Sequence, residues 1–213
     1  ATIGGGMYNE DSSPTLTATT VCGNTPDQIS GAWTDGGGVC VAYSCEDNNG
    51  DGIPDKCTNP DGNTILVPEE YATIQDAINV AVHGDEIIIG PGTYTGVGNW
   101  VINPTGKRLW IHSSDGPEVT IIDGEGAGGG IHCFGGETNQ TILEGLTITS
   151  CSYGMFSGWS SPTLIDCTFT NNGEAIWNNN SNPTLTNCSF TNNKLGGMYN
   201  YNNSNPTLTN CTF

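Results

Sequence analysis

Three stretches at the C-terminal end of the chain decide its fold: GMFSGWSSPTLIDCTFTNN (154–172), AIWNNNSNPTLTNCSFTNN (175–193) and GMYNYNNSNPTLTNCTF (197–213). They align on Pro-Thr-Leu, and Pro162 and Pro183 are 21 residues apart. A fourth copy lies at the other end: Gly6-Met7-Tyr8, then Pro14-Thr15-Leu16, then Val21 and Gly23-Asn24. A period of 20–50 residues marks a solenoid or array. This one has short alternating strands, no helical pattern, and Gly, Asn and Pro at the corners. It reads as one rung of a right-handed parallel β-helix per repeat, an all-β fold. Each rung is three short strands and three bends. A single rung cannot bury its inward side chains, so stacking at about 4.8 Å satisfies the backbone and builds the core together.

Stacking turns repeat positions into ladders. Met155, Ile176, Met198 and Met7 are expected to form an aliphatic ladder, and Phe156, Trp177, Tyr199 and Tyr8 an aromatic one. Cys167, Cys188 and Cys211 are expected inside, beside Phe169, Phe190 and Phe213. Asn172 and Asn193 mark a corner, where Asn tolerates left-handed backbone and its amide can bond along the stack.

The chain has 213 residues, with 31 Gly, four basic residues against 22 Asp and Glu, and a net charge of −18. Such a balance excludes phosphate neutralisation, hence nucleic acid, and disfavours anionic membranes. It favours solubility and cations. No stretch reaches the roughly 18 apolar residues of a membrane span. Nine Cys with no Cys-x-x-Cys pair point away from zinc and toward an oxidising, extracellular or cell-surface setting. The chain begins at Ala1 without a signal-peptide pattern, read as a removed leader or a piece of something longer.

Residues 1–24 read as one rung. Residues 25–63 read as a closing loop (25–44) followed by a Cys-bracketed acidic linker. Residues 64–213 read as the main solenoid. Within it, residues 71–82 carry Ile74, Ala77, Ile78 and Ala81 at helical spacing, a short amphipathic helix. Strands are expected at 65–67, 86–89, and near 100–103, 108–112, 118–122, 130–134 and 141–149. The segment VPEEYATIQDAINVAVHGDEIIIGPGTYTG (67–96) resembles the N-terminal cap and first rung of pectate-lyase-like right-handed β-helix proteins. The resemblance implies that the helix plugs one end of the solenoid. It implies little about activity, because that superfamily holds lyases, hydrolases, adhesins and structural proteins alike.

The linker CEDNNGDGIPDKC (45–57) carries the sharpest candidate site. Asp47, Asn49, Asp51 and Asp55 hold positions 1, 3, 5 and 9 of a calcium loop, Gly52 makes the tight turn, and Ile53 offers its carbonyl. Alternating hard oxygens around a Gly turn are what calcium selects. The loop resembles those of thrombospondin type 3 repeats and dockerin-like modules. It departs from the EF-hand at position 12, which is Thr58, so a last ligand comes from a carbonyl, Asp61 or water. A Cys45–Cys57 disulfide closing a plain acidic linker is the alternative, and both can hold. Cys22–Cys40 and Cys133–Cys151 are further candidate bridges, whereas the ladder of Cys167, Cys188 and Cys211 reads as buried thiols.

Catalysis finds little support. Polysaccharide lyases of the resembled superfamily use a basic proton acceptor, and the solenoid offers only Lys107, Arg108 and Lys194. Glycoside hydrolases need paired carboxylates; Asp115, Glu118, Asp123, Glu125 and Asp166 form no motif. His83, His112 and His132 stand alone. Trp159 and Trp177 could stack on sugars or on each other. The sequons at Asn139, Asn187 and Asn210 are expected by chance, the last two in a core strand.

One ordering feature remains. The rung at 1–24 precedes the cap, which in a solenoid should come first. Joining Phe213 to Ala1 of another copy puts 21 residues between Pro206 and the next Pro14, so the phase is kept. The chain therefore reads as a structural, calcium-stabilised solenoid unit whose partner is itself. The Phe213 end meets the Ala1 end of the next copy, with the calcium loop as the joint. A polysaccharide-binding or polysaccharide-cleaving β-helix is the alternative.

Overall fold

The structure, a computed structural model, describes residues 63–96 and 100–213, and within the first 62 residues eight short strands: 7–8, 15–16, 20–22, 29–30, 34–35, 40–42, 44–46 and 56–58. Ala1–Gly62 and Asn63–Phe213 are separate compact units.

The second unit is a parallel β-solenoid with one short helix. Sheet I stacks Thr64–Val67, Glu86–Ile89, Trp110–Ser113, Ile142–Glu144, Thr163–Ile165, Thr184–Thr186 and Thr207–Thr209. Sheet II stacks Gly92–Thr95, Thr120–Asp123, Thr147–Thr149, Thr168–Thr170 and Ser189–Thr191. Sheet III stacks Trp100–Ile102, Gly129–Cys133, Tyr153–Gly158, Glu174–Asn179 and Gly196–Tyr201. From Glu86 onward the chain visits sheets I, II and III in turn, and every pairing is parallel. The expected strand at 141–149 is two strands, because Gly145 turns with φ 66° between them.

Alternation sends every second side chain inward. Ile87, Ile111, Leu143, Leu164 and Leu185 form one inner column of sheet I, all 0% exposed. Tyr94, Ile122, Ile148, Phe169 and Phe190 form that of sheet II. Ile131, Met155, Ile176 and Met198 form that of sheet III, so three of the expected aliphatic residues are in register. Burying one such side chain stabilises by about 1.5–3 kcal/mol. Met7 pairs with Ile29.

Corners repeat as faithfully as strands. Gly145, Asp166, Asn187 and Asn210 turn between sheets I and II, and Ser150, Asn171 and Asn192 between II and III, all with positive φ. The second corner divides labour between its two asparagines. Asn171 and Asn192 take the left-handed backbone, while Asn172 and Asn193 turn inward and bond along the stack. Asn172 Oδ1 accepts from Cys151 N (3.0 Å), and its Nδ2 donates to Ile148 O (3.0 Å) and Asn193 Oδ1 (3.1 Å). Asn172 is fully buried, so these bonds hold a core position that an unpaired amide could not occupy.

The helix is Ile74–Val80, shorter than the expected 71–82. Thr73 is its N-cap: it is extended (φ −123°, ψ 149°), and its hydroxyl accepts from Asp76 N at 3.1 Å, so Tyr71 and Ala72 stay outside. Ala81 leaves the helix at ψ 151°. Ile74, Ala77 and Ile78 are buried, and the helix packs on the first strands of sheets I and III.

The first unit differs from its sequence reading. Strands 7–8, 15–16 and 20–22 pair in parallel with 29–30, 34–35 and 40–42. Strands 29–30, 34–35 and 40–42 thus stand where a closing loop was expected, and strands 7–8, 15–16 and 20–22 have neighbours within their own chain. Ile29, Thr34 and Cys40 follow Met7, Thr15 and Thr20 at close to the repeat period, but without the Pro-Thr-Leu signature. The register sets Cys40 opposite Thr20 and Cys22 opposite Ala42. Cys22 and Cys40 are thus offset by two residues, beyond the roughly 7 Å a disulfide spans.

Candidate functional site

The rung at 196–213 ends all three inner columns. Leu185 is 0% exposed but Leu208 is 37%; Phe190 is 4% exposed but Phe213 is 66%. The phenyl column is well ordered up to this edge, with Phe169–Phe190 centroids 5.3 Å apart at 11° and Phe190–Phe213 4.6 Å apart at 10°. Among the described residues, the strands Thr207–Thr209 and Gly196–Tyr201 each have a neighbour on one side only. The same holds for strands 7–8, 15–16 and 20–22 in the first unit. Among the described residues, these edge strands present backbone donors and acceptors on one side.

The outer face of sheet III carries an aromatic band. Trp100 stacks on His132 (4.7 Å, 19°), and Phe156, Trp177 and Tyr199 continue the column at 5.8, 6.3 and 5.1 Å. This confirms the expected register of Phe156, Trp177 and Tyr199. Phe134, Trp159 and Tyr153 flank it, and Trp159 meets Phe134 edge-on at 5.2 Å. Trp159 sits at a corner with φ 49° and is 60% exposed. Burial pushes the His132 imidazole below its usual range, so it stacks as a neutral ring. Beside Trp100 a groove of about 180 Å³ is lined by Glu125, Ala127 and glycines. A second, of about 370 Å³, is lined by Gln75, Asp76 and Asn79 of the helix.

The structure does not gather the other candidates into one site. Lys107 Nζ donates to Ile78 O (2.6 Å) and Asn79 O (3.2 Å), closing the helix C-terminus as a cation does there. Arg108 Nη1 donates to Gln140 Oε1 (3.3 Å). Asp123 Oδ1 accepts from Glu125 N within one turn, Asp115 accepts from Ser114, and Asp166 from Asn187. Asn187 is exposed at a corner rather than held in a core strand. His112 is not alone: its Nε2 meets Glu86 Oε1 at 3.0 Å, and its ring stacks on Trp110 at 4.2 Å. The Trp110 Nε1 in turn donates to Glu144 Oε2 at 2.9 Å. That cluster spans three rungs: Glu86 and Glu144 lie 26 and 34 positions from the side chains they meet, so no local motif marks it. Glu137 was equally illegible. It is buried and accepts from Gly106 N, Gly135 N and Ser160 Oγ, clasping a loop.

Cys133, Cys151, Cys167, Cys188 and Cys211 are free thiols. A Cys133–Cys151 bridge is excluded because Cys133 lies opposite Ser157 in sheet III, while Cys151 sits at the corner above Asn172. Burial raises the Cys133 thiol well above its usual range and pushes Cys151 up to about 12. The neighbouring Cys188 thiol and burial raise Cys167. Asp47, Asn49, Asp51, Ile53 and Asp55 lie outside the described residues. The strands on either side of them, Ser44–Glu46 and Lys56–Thr58, pair antiparallel with Cys45 opposite Cys57. Among the described residues, no group of three or more His, Cys, Asp or Glu is placed to hold a metal ion. No helix there is long and apolar enough to cross a membrane.

Comparison with known proteins agrees with this architecture. Neither the curated proteins nor the solved structures compared with the chain match it. Residues 129–213, from the second strand of sheet III to the open rung, match the family described as right handed beta helix region.

Proposed function

We propose that the chain is a structural β-solenoid unit of the cell surface or extracellular space that is extended end to end. The open rung at 196–213 is covered by a rung of the 1–24 type from another copy. The observation that carries this is the match between residues 6–16 and 197–208, each a Gly-Met-Tyr followed by Pro-Thr-Leu, which suits the two stretches to neighbouring rungs of one stack. The helix-plugged start of the solenoid supports kinship with the pectate-lyase-like superfamily. Calcium held by Asp47, Asn49, Asp51, the Ile53 carbonyl and Asp55 stabilises the joint. The antiparallel strands beside that loop, with Cys45 opposite Cys57, support a closed loop of this kind. Electron microscopy and sedimentation of the purified chain with calcium test the reading. Filaments or end-to-end oligomers are expected, and monodisperse monomers at high concentration would overturn it.

A second reading rests on the aromatic band. A column of Trp100, His132, Phe156, Trp177 and Tyr199 flanked by exposed Trp159 offers ring faces to a sugar chain. The charge of −18 favours a neutral glycan over a uronan. A glycan array decides it, and Trp159→Ala should abolish any signal.

A further inference from the structure

The corner between sheets II and III holds a chemically labile pair, Asn172 followed by Gly173. In a free chain this order favours deamidation. The backbone nitrogen after the asparagine attacks the side-chain carbonyl carbon, and glycine, having no Cβ, leaves that nitrogen open. The bond from that carbon to the side-chain nitrogen breaks, ammonia leaves carrying the backbone proton, and a cyclic succinimide forms. Water then opens either carbonyl of the ring, giving aspartate or isoaspartate at position 172.

The fold holds both reactants through one residue of the preceding rung. Cys151 N donates to Asn172 Oδ1 at 3.0 Å, and Gly173 N donates to Cys151 O at 2.8 Å. Asn172 Nδ2 is engaged as well, by Ile148 O (3.0 Å) and Asn193 Oδ1 (3.1 Å). Attack needs the reacting atoms free to approach in line, and these bonds fix each of them elsewhere. Asn172 is 0% exposed, which also keeps water from the ring-opening step. The pair is retained for packing: Asn172 fills the buried corner, and a Cβ at Gly173 would stand 2.5 Å from Ser152 O. Asn193 takes the same corner one rung on but is followed by Lys194, so the labile order is confined to Asn172 in this ladder.

We propose that Asn172 is a deamidation site that folding shuts, and that modification there while the chain is unfolded bars its return to the solenoid. The aspartate product does not fit the corner. One carboxylate oxygen can accept from Cys151 N, but the other faces Ile148 O and Asn193 Oδ1 with no proton for either. Asn193 is not free to turn its amide over, because its Oδ1 also accepts from Asn172 N and its Nδ2 donates to Phe169 O. A buried carboxylate left against two acceptors is strongly disfavoured. Isoaspartate adds a carbon to the backbone and moves Gly173 N off Cys151 O. The pair therefore records, irreversibly, time spent unfolded.

The test holds the full chain at pH 8, either folded in buffer or unfolded in guanidinium chloride. Peptide mass spectrometry follows conversion of Asn172 to aspartate and isoaspartate over time. The folded chain should be converted at least about a hundredfold more slowly, because reaction waits on local opening of a buried corner. Unfolded samples are then diluted into buffer and separated by size exclusion, and the converted chains should be confined to the fraction that fails to refold. Asn172→Asp carries the product from synthesis and should melt below both the wild type and Asn172→Ala at pH 8. Equal conversion in folded and unfolded chains would overturn the protection. Converted chains that refold in proportion to their share, or an Asn172→Asp variant that melts like the wild type, would overturn the bar to refolding.

Discussion

The phenyl column of sheet II allows one substitution to be made at three depths of the same stack. Phe169→Ala removes a side chain that is 0% exposed and lies between Ile148 and the ring of Phe190. A buried Phe→Ala change costs about 3–5 kcal/mol from transfer and cavity terms. Phe190→Ala, at 4% exposed, should cost a similar amount, and it loses ring contacts on both sides, each such contact being worth about 0.5–1.5 kcal/mol within that total. Phe213→Ala retains the same chemistry but only a third of the burial, with 66% of the residue exposed. Scaled to that fraction, its cost is about 1 kcal/mol. Urea unfolding of each variant at low protein concentration, read by tryptophan fluorescence with the slope held constant, gives the three values. The same series at associating concentration should raise the cost of Phe213→Ala toward that of Phe169→Ala, because a rung above it completes the burial. Equal costs for Phe213→Ala and Phe169→Ala in the dilute monomer would refute the open-rung description. A Phe213→Ala cost unaffected by concentration would refute the claim that the rung is covered.

Further outcomes follow from the polar interior. Asn172→Ala leaves Cys151 N and Ile148 O without their partners and should destabilise by about 2–4 kcal/mol, read as a drop in melting temperature. Burial lowers the His132 imidazole, so as pH falls through about 6.5 the unfolded chain takes up the proton first. Stability from this group is complete above that pH and is lost below it; His132→Phe should flatten the melting temperature between pH 7 and 5.5. The opposite shift of Glu174, raised by burial, favours folding as pH falls and acts in the lower carboxylate range. At pH 8 iodoacetamide should leave Cys133, Cys151 and Cys167 unmodified in the folded chain and alkylate them after unfolding, counted by mass spectrometry. Chelation of calcium should lower the melting temperature of the chain, and Asp51→Ala should reproduce that shift without chelator.

The solenoid was legible because its sequence repeats what the structure repeats. Pro-Thr-Leu, Cys-x-Phe and Thr-Asn-Asn recur because every rung asks the same of each position, so Met155, Ile176 and Met198 could be stacked from spacing alone. Residues 25–44 were misread for the converse reason: their strands pair with those of 1–24 through backbone register, and register needs no shared motif. The clusters on the outer faces were hidden by a related effect. Glu86, His112, Trp110 and Glu144 meet because neighbouring rungs are 24 to 32 residues apart there, so each looks solitary in sequence. Lys107, weighed as a proton acceptor, reaches back 29 residues to the helix end. Only the placement of the plug helix gives it that role.

The first and last described rungs of the solenoid are built differently. At the first end Ile74, Ala77 and Ile78 of the helix bury an apolar face over the strands they meet, and Lys107 closes the helix carbonyls. That is a seal: helix geometry cannot continue a parallel ladder, so no rung can be added there. At the other end every ladder keeps its period to the last rung, with Leu208, Phe213 and Asn200 in register with Leu185, Phe190 and Asn178. The polar column there grows from Cys133 through Ser157 to two asparagines, the most demanding side chains to leave uncovered.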